Sequence, residues 1–329
     1  MERIVKLEEQ VRKEKNKQKR LILYNILIQE YYNLYKRYKN PEFLDKALGL
    51  IDEIGEKNSS TLNILGLIYI EKKEYNKAIS IFNELLDSHK LSTDDKDIIL
   101  YNLALAYFGK GELKNAYNIL KSLTLTSKGE INTLSRKLLA KVCLKLGESN
   151  ITYVNEAKEI LESLDMPSED LAVAYAVLAK HNNDKYFLEK AKKIATMLGN
   201  ERLLADILSI SDNEEDLKEA IRLYAKIGDY KNQLKPLYKL SRSDQSIFTE
   251  ILDRLKNIED SKDKLEILYD IYRRTNLIYF LKEAIKTAEK IEDYLFLARA
   301  YVELANYEDE ASNLKKAVLF YEKYIQSKQ

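Results

Sequence analysis

Glycine and proline are scarce in this chain. Nine Gly and three Pro (Pro41, Pro167 and Pro236) punctuate 329 residues. A protein built on sheets needs many more turn residues at this length, so an α/β or all-β architecture is excluded. Cysteine is almost absent. Cys143 has no second thiol to pair with, which rules out an internal disulfide and fits a reducing compartment. Its surroundings, Leu139-Ala140-Lys141-Val142-Cys143-Leu144, make it a core residue rather than a nucleophile.

Histidine is nearly missing too. His89 and His181 each sit among polar residues with no partner at metal-ligand spacing, so exposed positions and no metal site are expected. There is no glycine-rich phosphate loop. Gly109-Lys110-Gly111 and Gly147-Glu148 fall in turns between helices with no strand before them. The acidic clusters Asp94-Asp95 and Glu214-Glu215-Asp216 stand at helix starts, where they complement the helix dipole and need no catalytic role. Catalysis requires convergent groups and none are apparent, so no enzyme, no catalytic residue and no cofactor are expected.

Long apolar runs are lacking as well. The longest, Leu21–Ile28, is broken by Tyr24 and Asn25 and is far short of a membrane span. The start, MERIVKLEEQVRKEKNKQKR, has no apolar signal core. A cytoplasmic chain that inserts in no membrane is the expectation. Finally, no charge sign prevails: 54 basic side chains meet 53 acidic ones, a net charge of +1. Such balance supplies no field to draw in nucleic acid or an anionic surface, and points to solvated helix faces carrying local ion pairs.

What is present is a repeated three-point pattern: a small residue, an apolar residue four later and another three beyond that. On a helix these points stack on one face. The pattern occurs at Ala47–Ile51–Ile54, Ala78–Phe82–Leu85, Ala116–Leu120–Leu123, Ala157–Leu161–Leu164 and Ala191–Ala195–Leu198. It continues at Ala220–Tyr224–Ile227, Ile251–Leu255–Ile258, Ala284–Ala288–Ile291 and Ala317–Tyr321–Tyr324. Successive first points stand 31, 38, 41, 34, 29, 31, 33 and 33 residues apart. The spacing scatters about a period of roughly 34 residues, which is that of a helical hairpin repeat. The wider steps are assigned to loops at 88–97, 124–133 and 148–153. At 329 residues a quasi-linear array avoids the size limit of a single core.

Further residues make a resemblance specific. Leu62, Leu65, Gly66 and Tyr69 are followed by Tyr75, Ala78, Phe82 and Leu85. The next unit reads Tyr101-Asn102-Leu103-Ala104, Tyr107, Gly111, Ala116, Leu120 and Leu123. Tyr31-Tyr32-Asn33-Leu34 and Tyr38 are similar, with bulky Tyr35 where Gly would stand. The chain thus resembles the tetratricopeptide repeat (TPR) family. The likeness is clearest over residues 21–125 and divergent towards the C-terminus. It implies an all-α fold, an α-solenoid of about nine antiparallel helical hairpins wound as a right-handed superhelix. Three regions are expected: a charged, basic N-terminal helical extension over 1–20, repeats over 21–200, and divergent repeats over 201–329 continuous with the first part. Close approach of a small residue on each first helix to the Ala of the second is expected to seal each hairpin.

In that family the first helices line a concave groove. The resemblance places Tyr32, Asn33 and Lys36 there from the first unit, then Asn63, Ile64 and Leu67, then Tyr101, Asn102 and Leu105, and lastly Lys137 and Lys141. It implies a non-enzymatic scaffold or adaptor that holds a peptide or amphipathic helix of a partner protein. The carboxylate-clamping residue set of some members is missing, since Leu67 and Leu138 stand where polar residues would. Self-association through the N-terminal helix is a further expectation. The alternatives are a helical-repeat RNA binder, which the charge balance disfavours, and a ligand- or peptide-responsive regulatory solenoid.

Overall fold

The computed structural model describes residues 2–54, 57–87, 91–229, 232–240, 251, 254–255 and 258–328, and every regular element among them is a helix. The chain divides into two units, Met1–Leu198 and Gly199–Gln329. His89 lies outside the described residues.

The first unit begins with α1 (Glu2–Lys13), followed by five hairpins. These pair α2 (Lys17–Tyr38) with α3 (Glu42–Glu53), α4 (Ser59–Glu71) with α5 (Tyr75–Asp87), and α6 (Thr93–Lys110) with α7 (Leu113–Thr126). The last two are α8 (Gly129–Leu146) with α9 (Ile151–Glu162), and α10 (Glu169–Asn182) with α11 (Lys185–Leu198). The second unit holds α12 (Glu201–Leu208), α13 (Glu214–Lys226), α14 (Leu234–Leu240), α15 (Lys262–Thr275), α16 (Ile278–Lys290), α17 (Tyr294–Ala305) and α18 (Glu310–Gln326). Within each unit, contacts run mainly between chain neighbours and next-but-one neighbours, as stacked hairpins require.

Tight turns explain how the chain manages with so few glycines. Gly111 (φ 87°) takes the left-handed conformation after α6, but Lys39, Asn183 and Asn276 do the same after α2, α10 and α15. Asn tolerates this region better than most residues, and each of these amides donates back into the last turn of its helix. Helix starts are sealed by side chains. Asn58, Ser92, Ser168 and Asn213 accept from backbone N–H groups of the first turns of α4, α6, α10 and α13.

The wide repeat steps resolve differently from the sequence reading. α6 and α8 are each 18 residues long, and only Ser127 and Lys128 separate α7 from α8. The extra residues lengthen first helices instead of swelling the connection at 124–133. Asn132 supports this close join by donating to the carbonyls of Thr124 and Ser127, 3.0 Å each.

The N-terminal stripe is also not free. Ile4, Leu7 and Val11 are buried in one core with Leu27, Ile28 and Tyr31 of α2. Glu8 accepts from the Tyr31 hydroxyl, and Arg3 pairs with Glu30 at 3.1 Å. The other side of α1 is solvated, with Arg3, Val5, Lys6, Glu9 and Gln10 exposed, and so is the charged stretch that follows, where Arg12, Lys13 and residues 15–20 are exposed.

The repeat's first point is buried in all nine cases, from Ala47 to Ala317. In the α4–α5 hairpin, what the small first-helix residue meets most closely is not the Ala, however. A Cβ on Gly66 of α4 would fall 2.5 Å from Cζ of Phe82, a fully buried ring on α5. The glycine makes room for the aromatic second point rather than for the alanine. Gly66→Ala is therefore expected to cost about 1–3 kcal/mol by overpacking. Chemical denaturation of the variant checks this, and an unchanged midpoint would mean that the ring yields freely.

Candidate functional site

In the first unit the first helices α2, α4, α6, α8 and α10 touch in succession, forming one continuous layer. Polar links tie this layer together. Lys36 of α2 pairs with Glu71 of α4 at 2.9 Å. The Asn102 amide of α6 donates to Asn63 Oδ1 of α4 at 2.8 Å. Lys141 of α8 stands 3.8 Å from Asp170 of α10. Lys36 and Lys141 are exposed, so their two links lie at the surface of the layer, whereas the amide link joins half-buried Asn63 to buried Asn102.

The eleven residues expected in a groove separate into three groups. Asn33, Lys36, Lys137 and Lys141 are exposed. Asn63, Leu67, Tyr101 and Leu105 are half-buried, each offering part of its side chain. Tyr32, Ile64 and Asn102 are buried and do not form accessible surface. Tyr32 and Ile64 belong to the core that joins the first two hairpins, and Asn102 is closed over by its bond to Asn63. The error has a simple geometric cause. Successive residues are about 100° apart on a helix, so one position moves a side chain from the open strip to the seam between helices.

Electrostatics follow burial. Desolvation raises the Tyr101 phenol above its ordinary value, as it does that of Tyr32, where the carboxylate of Glu71 adds to it. Asp170 is held above the usual carboxylate range by burial, although Lys141 pulls it down. The carboxylate faces one end of a lysine pair, Lys137 and Lys141, that stands one turn apart on α8. The outward side of Lys137 remains exposed.

Sequence reasoning missed the continuation of this surface onto α10. Val173 and Val177 stand one turn apart there, each 37% exposed. They share α10 with Asp170, which Lys141 approaches from α8. The signal was present: two β-branched apolar residues at i and i+4 lie outside the stripe that packs on the second helix. In the second unit, a recess of about 300 Å³ opens beside α15 and α17, lined by Leu265, Glu266, Tyr269, Phe296 and Arg299 among others. The Tyr269 ring meets that of Phe296 edge-on at 5.0 Å, and its hydroxyl donates to Glu303 at 2.5 Å.

The remaining residues singled out from sequence have structural roles. Cys143 is fully buried on α8, and burial pushes its thiol up to about 12, which leaves no thiolate near neutral pH. His181 is exposed, with its Nδ1 2.8 Å from Asn182 Oδ1. Among the described residues, no group of His, Cys, Asp or Glu is arranged to hold a metal ion, and no helix is long and apolar enough to cross a membrane.

Residues 71–151 match the family described as anaphase-promoting complex, cyclosome, subunit 3. No curated protein matches the chain. Among solved structures, the apo form of RapI aligns over 93% of this chain and 97% of its own, with 16% identity and a TM-score of 0.54. A Rap protein complexed with competence and sporulation factor covers 96% of this chain and 92% of its own, with 16% identity and a TM-score of 0.45. A thermophilic TPR protein from Thermus thermophilus covers 60% of this chain and 99% of its own, with 18% identity and a TM-score of 0.34. At such identities the likeness to RapI concerns the fold alone.

Proposed function

We propose that this chain, a helical repeat protein of the tetratricopeptide type, acts as a protein-interaction scaffold that receives an amphipathic helix of a partner on the first-helix layer of its first unit. One observation carries the reading. Half-buried Leu67 and Leu105, and exposed Val173 and Val177, supply apolar patches on a layer otherwise stitched by polar links. An apolar helix face laid across them would lose water at Leu67 and Leu105 without disturbing the core beneath. The Asn63–Asn102 amide bond joins the two helices that carry these leucines, α4 and α6. Exposed Lys137 and Lys141 favour acidic residues along one edge of the guest.

The test is selection of helical peptides from a display library against the intact chain, with affinities read by fluorescence anisotropy. Leu67→Glu combined with Leu105→Glu places two carboxylates on the apolar strip at positions that are not fully buried. Selected peptides should lose about tenfold or more in affinity while helicity is retained, the scale of a lost interfacial anchor. Peptides that bind parent and variant alike would sink the reading. So would a selection that yields only sequences without a helical apolar stripe.

A further inference from the structure

The repeat's second point reports whether a hairpin is covered by the next one. Phe82, Leu120 and Ala288 are 0% exposed there, Leu161 is 3% and Tyr224 is 2%. In α18 the equivalent residue, Tyr321, is 52% exposed. It is not isolated. Leu314 (39%), Val318 (60%) and Ile325 (48%) stand with it at spacings of four, three and four residues. That is the seam of a helix built to pair with another helix. The inner face of α18 is already used, with Asn313 and Ala317 buried and the Phe320 ring stacked 5.6 Å from Tyr301 of α17. α18 therefore carries two apolar faces, and only one has a partner within the described residues. A helix face left to solvent would be polar here.

We infer that this second face of α18 is a homodimer seam, covered by the same helix of a second copy in antiparallel orientation. Charge selects that occupant. Lys315 and Glu322 flank the seam on one side, seven residues apart and both exposed. An antiparallel pairing that sets Leu314 against the partner's Ile325, and Val318 against the partner's Tyr321, brings Lys315 beside the partner's Glu322. Two-fold symmetry repeats the pair at the other end. The surface is thus complementary to itself in both apolarity and charge. α18 spans 17 residues, about 25 Å of helix, so one helix pair buries less than the roughly 1,600 Å² of a standard interface. A weak, concentration-dependent dimer follows. The inference is independent of the groove on the first unit.

Sedimentation velocity of the full chain across about a hundredfold range of concentration tests it, because mass action must shift a weak dimer. The expected result is a monomer that converts to dimer. Val318→Glu should abolish the dimer. Lys315→Glu should weaken it by about tenfold or more, because it opposes two carboxylates at each end. Lys315→Glu combined with Glu322→Lys should restore it, since the swap recreates both pairs. All three side chains concerned are exposed, and circular dichroism confirms that each variant keeps its helicity. A chain that stays monomeric throughout overturns the proposal and leaves the seam for a different helix. A dimer indifferent to Val318→Glu overturns it too, and failure of the double swap to rescue rejects the antiparallel register.

Discussion

Phe82→Ala is expected to destabilise the first unit by about 3–5 kcal/mol, the cost of a large cavity in a core that cannot collapse around it. The ring is fully buried on α5. On one side it lies against the bare backbone of Gly66 on α4. On the other it shares a core with Ile99, Leu103 and Ala106 of α6. The ring therefore joins two hairpins as well as the helices of its own. Loss of a contact between neighbours in a stacked array lowers the stability of both. Hydrogen exchange should accordingly speed up in α4, α5 and α6 together, rather than in α5 alone.

The same contact predicts non-additivity. Gly66→Ala strains the native packing because Phe82 is large, so its cost should shrink once that ring is smaller. In a Phe82→Leu background, Gly66→Ala should be close to neutral. The coupling between the two sites should reach about 0.5–3 kcal/mol, as for residues in direct contact. Strictly additive costs would show that the glycine is required for something other than the ring.

The repeat pattern was legible because it reports burial directly, yet it was not uniformly informative. First points are buried throughout, and second points are buried everywhere except at Tyr321. Third points are buried only in the first three units, at Ile54, Leu85 and Leu123. Later ones fall where helices end: Leu198 closes α11, and Ile227 is the C-cap of α13, each 39% exposed. A helix end does not by itself expose the residue, since Ile54 is the C-cap of α3 and is buried in one core with Ile64, Leu65 and Ile68 of α4; cover comes from a neighbouring helix, which spacing alone does not reveal. The groove was less legible for a related reason. A first helix packs against its own second helix, the preceding one, and two neighbouring first helices, so little of its circumference stays open. Asn102 and Tyr101 differ by one position, and only the half-buried Tyr101 offers surface. Val173 and Val177 lie on α10, beyond the stretch where the family pattern is strongest, so that pattern does not mark them.

Raising the pH above about 10 should unfold the chain cooperatively, through its tyrosines. There are 24, and several phenols donate to carboxylates: Tyr117 to Glu156, Tyr175 to Glu162, Tyr224 to Asp206, Tyr269 to Glu303 and Tyr301 to Glu289. Burial first, and then the carboxylate, pushes Tyr117 and Tyr301 up to about 12. Tyr31 and Tyr224 are raised further for the same reasons. A phenol in the unfolded chain ionises near 10. The folded state holds these protons more tightly, so its advantage is complete below pH 10 and is lost as pH climbs through the window from 10 to about 12 and beyond. Cys143, adjacent to Tyr117 and also raised to about 12, acts with the same sign from about pH 9 upward. Phenolate absorbance should therefore lag behind that of the chain in denaturant, then rise together with loss of helicity. Lysine deprotonation falls in the same range, and Tyr117→Phe separates the two. It removes one phenol while leaving Glu156 paired with Lys121, so the variant should hold its fold to higher pH than the parent. If all 24 phenols titrate near pH 10 with helicity intact, the tyrosine–carboxylate bonds do not hold the hairpins together.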